Sequence, residues 1–105
     1  MVKFDYSGHE LPTLAQREVL ELIAEECAEV TQRVIKILRF GLEEAQANQP
    51  LTNKQRLALE LGDLLEVLAK ANELGCIDEY IVEFGRSVKR EKLKQYLRYQ
   101  EEIPS

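Results

Sequence analysis

The chain has 105 residues, of which 45% are hydrophobic and 31% are charged, the composition of a soluble globular domain rather than a disordered segment. This length predicts a single domain, residues 1–105, and no apolar run is long enough to cross a bilayer. A net charge of −5 argues against general nucleic-acid binding. The only cysteines, Cys27 and Cys76, exclude a disulfide scaffold and favour a reducing, cytoplasmic location.

The first predicted helix begins after Thr13, which forms a capping box with Gln16, and it ends near Gly41. Residues 1–12 before it are predicted to form an N-terminal arm, and residues 100–105 a C-terminal tail. Apolar or small side chains recur along this helix every three or four residues, the pattern of an amphipathic stripe. The stripe comprises Leu20, Ile23, Ala24, Cys27, Val30, Thr31, Val34, Ile35 and Leu38.

The second and third helices follow from the same kinds of signal. Thr52 and Gln55 form another capping box, and the helix that follows them is predicted to continue to Gly75. A third helix is predicted from near Asp78 through Tyr96. The stripe of the second helix comprises Leu57, Leu61, Leu64, Leu65, Leu68, Ala71 and Asn72. The pattern therefore predicts an all-α fold, a helical bundle of about three main helices per chain.

Both long helices also carry apolar residues outside these stripes, more than three helices can cover among themselves. These residues are Val19, Leu22, Ile37, Leu59, Val67 and Leu74. We therefore expect a homodimer or homotetramer, with dimerisation completing a four-helix-type bundle. Packing against a different protein would give the same pattern.

Two acidic motifs lie on the two long helices. Glu25, Glu26 and Glu29 form E-E-x-x-E, and Glu60 and Asp63 form E-x-x-D. Helical spacing places Glu26 beside Glu29, and Glu60 beside Asp63, away from the apolar stripe of each helix. If the helices pack as a hairpin, these four carboxylates converge at a groove edge, where a Mg²⁺ or Mn²⁺ ion would offset their repulsion. The alternative is a solvated acidic surface.

With these motifs the chain resembles the MazG-like group of all-alpha nucleoside triphosphate pyrophosphohydrolases, over roughly residues 14 to 98. The signature of that group is E-E-x-x-E on one helix and E-x-x-D on the next, found here at residues 25–29 and 60–63. The resemblance implies Mg²⁺-dependent hydrolysis of a (deoxy)nucleoside triphosphate substrate between its α and β phosphates. The products are then the monophosphate and pyrophosphate.

The resemblance also implies roles for individual residues. By motif position, Glu26, Glu29, Glu60 and Asp63 correspond to metal ligands. Glu25, the leading acid of the first motif, corresponds to a catalytic residue that supports the metal or orients the attacking water.

Basic residues on a later helix usually reach the phosphates in this family. Here the segment from residue 86 to 98 carries six bases and one acid, and Lys89 and Lys92 share a helical face. They are the substrate-binding candidates. Bases near a helix C-terminus also favour its dipole and pair with acidic neighbours, so this run has a purely structural explanation as well.

The connection between the two motifs is long for the family, and the extra residues fall in the loop at 41–51. Two other functions are compatible with the same motifs. One is an enzyme similar to the phosphoribosyl-ATP pyrophosphohydrolases of the same superfamily. The other is a non-catalytic helical adaptor whose acidic groove binds a basic partner.

Overall fold

The computed structural model describes residues 3–5 and 8–100, so parts of the predicted arm and tail lie outside the described residues. Three helices follow one another: α1 at Leu14–Phe40, α2 at Asn53–Glu73 and α3 at Glu79–Tyr96. The described residues form no strand beyond an isolated antiparallel bridge between Phe4 and Glu10, which confirms the all-helical prediction. None of the described helices is both long and apolar enough to cross a membrane.

Local side-chain capping explains where the helices begin. The Thr13 hydroxyl accepts from the Gln16 backbone N–H at 3.1 Å, and the Gln16 side chain accepts from the Thr13 N–H at 3.0 Å. Thr52 and Gln55 make the same reciprocal pair at 2.9 and 3.1 Å, so each box satisfies backbone donors that the helix leaves free. Asp78 caps α3 through its carboxylate. All three predicted starts are confirmed.

α1 and α2 pack along each other as an antiparallel hairpin. Gln16, near the start of α1, donates from Nε2 to the Leu74 carbonyl at the end of α2, at 2.9 Å. Buried and half-buried positions recur on both helices at alternating steps of three and four residues, which we call the hairpin seam. The seam contains Gln16, Val19, Ile23, Glu26, Val30, Arg33 and Ile37 of α1, and Asn53, Leu57, Glu60, Leu64, Val67 and Ala71 of α2 with Leu74, the residue that caps its C-terminus.

The seam differs from the predicted apolar stripe. Leu20, Val34 and Leu38 of that stripe are exposed, and so is Cys27. A helix with two apolar faces can bury either of them, and periodicity does not say which one packs within the chain. Four residues assigned by the sequence to positions outside the stripe line the seam instead: Val19, Ile37, Val67 and Leu74.

A single chain leaves most of its apolar side chains uncovered. Every residue of α3 is exposed, and among the described apolar residues only Val19 and Ala71 are fully buried. The radius of gyration is 18.2 Å, against about 13 Å for a compact domain of this length. The accessible surface is 9089 Å², whereas a folded monomer of this mass exposes roughly 6,000 Å². The single chain is thus an extended hairpin with a projecting third helix.

Asn53 ties the loop at 41–51 to the first turn of α2. Its side chain is 2% exposed, and Nδ2 donates to the Gly41 carbonyl at 3.0 Å and to Glu44 Oε1 at 3.1 Å. The Asn53 amide thus donates both to the carbonyl that follows α1 and to a carboxylate of the loop, and these two hydrogen bonds hold the loop against the hairpin.

We expect Asn53→Ala to lower the free energy of unfolding by about 1–3 kcal/mol, because two part-buried acceptors lose their donor. Urea denaturation at a fixed protein concentration measures the change. The matched control is Lys54→Ala, since Lys54 pairs with Glu43 at 3.3 Å and both side chains are exposed, and we expect it to cost about 0.5 kcal/mol or less. Equal losses in the two variants would contradict the role given to Asn53.

Candidate metal centre

The acidic motifs meet in the middle of the hairpin seam. Glu26 of α1 and Glu60 and Asp63 of α2 each offer one carboxylate oxygen, and these three oxygens lie within 4.8 Å of one another. Glu26 and Glu60 are half-buried and Asp63 is exposed at the rim. The structure therefore brings together three of the four residues predicted to hold a metal, with Glu26 and Glu60 inside the seam and Asp63 at its rim.

Glu29, the fourth predicted ligand, lies one helical turn beyond Glu26 and is half-buried. A hydrogen bond with Glu60 raises the pKa of Glu29 above its ordinary value, as do the charge of Glu60, burial and the charge of Asp63, in that order. The Arg33 charge opposes this shift in the pKa. Glu29 thus faces the same group of carboxylates.

Glu26 carries the clearest sign of electrostatic strain. Burial raises the pKa of Glu26 above its ordinary value of 4.5, and the charges of Glu29, Asp63 and Glu25 raise it further. Glu25 itself is exposed and acts on the cluster through its charge. The predicted catalytic acid therefore lies beside the cluster and open to solvent.

The donor atoms suit a hard divalent cation. Glu26 Oε2 and Glu60 Oε2 are buried, and neither has a hydrogen-bond partner among the described residues. Leaving a buried carboxylate oxygen unpaired is unfavourable. Every donor in the cluster is a carboxylate oxygen, the ligand type that Mg²⁺ and Mn²⁺ prefer. A cation bound between the helices would offset the cost of burying these carboxylates, so the residues fit the metal expected from the sequence.

Arg33 is a charged residue of this site that the sequence reasoning missed. Its Nε lies 3.8 Å from Glu60 Oε1, with only 23% of the Arg33 side chain and 15% of the Glu60 side chain exposed. The available signal was spacing, because Arg33 follows Glu26 by seven residues and Glu29 by four on the same helix.

The structure does not bring Lys89 and Lys92 to the acidic cluster. Both are exposed on α3, which makes no packing with α1 or α2 comparable to that within the hairpin. Their role in substrate binding stays a prediction.

No protein-family model, no curated protein and no solved structure matches this chain. The functional interpretation therefore rests on the sequence motifs and on the geometry of the cluster.

The raised pKa values predict how acid affects the metal-free protein. A carboxyl whose folded-state pKa lies above its unfolded value stabilises the fold at low pH, and this contribution is lost as the pH rises through the folded pKa. In EDTA, Glu26→Gln should therefore raise the melting temperature at pH 7–8, and the gain should shrink as the pH falls toward 4.5.

Melting curves across this pH range check the prediction. Glu66→Gln is the matched control, because Glu66 is an exposed acid on α2 whose removal leaves the cluster intact. A gain in the Glu26→Gln variant that grows toward acid pH, or no gain at all, would show that Glu26 is not strained by its neighbours.

Proposed function

We propose that the protein is a cytoplasmic, Mg²⁺-dependent nucleotide pyrophosphohydrolase that converts a (deoxy)nucleoside triphosphate to the monophosphate and pyrophosphate. The observation that carries this proposal is the convergence of Glu26 and Glu60, in the seam, with Asp63 at its rim. The two helices that meet there bear the E-E-x-x-E and E-x-x-D motifs of the resembled family.

In this proposal Glu26, Glu60 and Asp63 hold the cation, with Glu29 as the fourth carboxylate. Mg²⁺, when bound, supplies positive charge to the phosphates and acidifies a water molecule. Two rigid helices fix the carboxylates in the seam, so little reorganisation is needed when the negatively charged substrate arrives.

Glu25 is the residue proposed to orient the attacking water. Glu25 directly precedes Glu26 in the chain, and its side chain is exposed. Its carboxylate can therefore accept a hydrogen bond from a water held against the α phosphorus. In the reaction a bond forms between the water oxygen and the α phosphorus. The bond from that phosphorus to the bridging oxygen breaks, pyrophosphate leaves with the electron pair, and the attacking water releases a proton to the solvent.

We propose further that two copies pair through the outer face of the hairpin. We define this face by exposed positions at alternating steps of four and three residues on α1, together with two leucines of α2. They are Leu20, Ala24, Cys27, Thr31, Val34 and Leu38 of α1, and Leu61 and Leu65 of α2. These positions lie roughly 100° around each helix from the seam, and because the helices are antiparallel they point to the same side of the hairpin.

This geometry and the exposed area favour a second copy as the partner. In a four-helix bundle each helix packs against two neighbours about a right angle apart, which is the relation between the seam and the outer face. Two chains that each cover a surplus surface on the order of 3,000 Å² would bury about 6,000 Å² in total, an area that only large obligate interfaces reach.

Complementary charges favour packing of α3 against the hairpin of the second copy. Residues 86–98 carry six bases and one acid, whereas residues 18–29 carry five acids and no base. A projecting basic helix can therefore pack against the acidic hairpin of the second copy, with Ile81 and Phe84 covering apolar surface. That packing would bring Lys89 and Lys92 toward the phosphates.

A turnover screen tests the catalytic proposal. The panel contains the eight standard ribo- and deoxynucleoside triphosphates with dUTP, dITP and phosphoribosyl-ATP, each with Mg²⁺, and detects pyrophosphate and orthophosphate separately. We expect pyrophosphate and monophosphate from at least one substrate. Glu60→Gln and Asp63→Asn should each lower the rate by about 100-fold or more, while Glu66→Gln should keep it.

Release of orthophosphate alone would contradict cleavage between the α and β phosphates. Absence of turnover, together with no thermal stabilisation by Mg²⁺, would favour the helical adaptor instead.

Light scattering coupled to size exclusion tests the assembly. We expect a mass of twice 12.1 kDa or a multiple of it, and Leu65→Glu should produce monomeric or unfolded chains because it places a charge in the outer face. Leu59→Glu is the control, since Leu59 is as exposed as Leu65 but lies on another side of α2. A monomeric wild-type protein, or equal effects of the two variants, would refute this interface.

A further inference from the structure

Arg33 is the cation that the described residues place against the acidic cluster. Of the ion pairs formed by the described residues, the Arg33–Glu60 pair is the one that includes a carboxylate of the cluster. The two bases that follow it on α1 are engaged elsewhere. Lys36 and Arg39 lie over the Phe40 ring at 5.7 and 5.3 Å from its centroid.

The geometry of this pair leaves the carboxylate incompletely satisfied. The 3.8 Å separation between Arg33 Nε and Glu60 Oε1 exceeds the length of a charge-assisted hydrogen bond, so their attraction is mainly Coulombic. Glu60 Oε2 keeps no hydrogen-bond partner among the described residues. Arg33 thus offsets charge at the cluster while leaving an oxygen of Glu60 open to a second cation.

Burial strengthens the interaction between the Arg33 guanidinium and the Glu60 carboxylate. Both side chains are less than one-quarter exposed, and charges near a protein interior interact more strongly than in water because solvent screens them less. The same proximity that attracts Arg33 to Glu60 makes it repel any metal ion bound by Glu26, Glu60 and Asp63.

We propose that Arg33 is a positioning residue that competes with the divalent cation for Glu60, holding this carboxylate in the metal-free protein and weakening the binding of free metal. The inference rests on the proposed metal site and adds a second role to the same carboxylate. The guanidinium stays within the seam when the metal binds, so its positive charge also lowers the affinity of the occupied site for the metal.

Titration of the intact protein with Mn²⁺, followed by electron paramagnetic resonance at pH 7.5, tests this role. We expect Arg33→Met to lower the Kd for Mn²⁺ by about tenfold, because a positive charge close to the metal is removed. Arg33→Lys keeps the charge and should stay within about threefold of the wild type. Arg39→Met removes an exposed cation elsewhere on α1 and should leave the Kd unchanged.

Melting temperatures separate this role from a purely structural one. In EDTA, Arg33→Met should melt below the wild type, and saturating Mn²⁺ should stabilise the variant by more than it stabilises the wild type. Arg33→Gln provides a second neutral variant if the methionine variant folds poorly. A lower melting temperature with an unchanged or raised Kd in these neutral variants would overturn the inference.

The same titration separates failure of this inference from failure of the metal site. A wild-type protein that binds no Mn²⁺ would refute the proposed metal site and the competition together. A wild-type protein that binds Mn²⁺ no more weakly than Arg33→Met would refute only the competition.

Discussion

The structure depends on the placement of carboxylates where a helical hairpin ordinarily packs apolar side chains. Glu26 and Glu60 occupy seam positions midway along α1 and α2, between the buried Val19 and Ala71 at one end and the buried Asn53 at the other. Like charges brought together and partly desolvated oppose the packing that brings them together. The two helices are therefore weakly held at their centre, and the hairpin needs stabilisation beyond the packing of its own side chains.

A bound cation and a second copy of the chain can each supply that stabilisation. A cation in the seam would turn repulsion between Glu26 and Glu60 into shared attraction and would offset the burial of these two carboxylates, each of which has an unpartnered oxygen among the described residues. A second copy on the outer face would bury Leu20, Leu61 and Leu65, each of which is more than one-third exposed in one chain, and would press the helices together from the side. The proposed metal and the proposed dimer thus act on the same weakness, so each should make the other more favourable.

The sequence predicted local features well and tertiary ones less well. Helix starts at Thr13, Thr52 and Asp78 were predictable because a cap is made by side chains within three residues of the backbone groups that they satisfy. The choice between the two faces of α1 was wrong because both faces are apolar, and only packing decides between them. Convergence of the acids followed from helical spacing in a hairpin. Arg33 was missed because its significance depends on Glu60, a residue of the other helix.

Acids within the seam differ chemically from acids on a surface. A surface carboxylate is hydrated and moves freely, so a cation gains little there and must order the side chain. In the seam the helix backbones and packed neighbours fix Glu26 and Glu60 in advance, and the reduced solvation strengthens their interaction with charge. Arg33 weakens the negative electrostatic potential of the seam, because its guanidinium offsets part of the negative charge without coordinating as a metal does. The hairpin therefore has a less stable centre and a preorganised group of oxygens, the trade that the proposed cation-dependent reaction on a triphosphate would require.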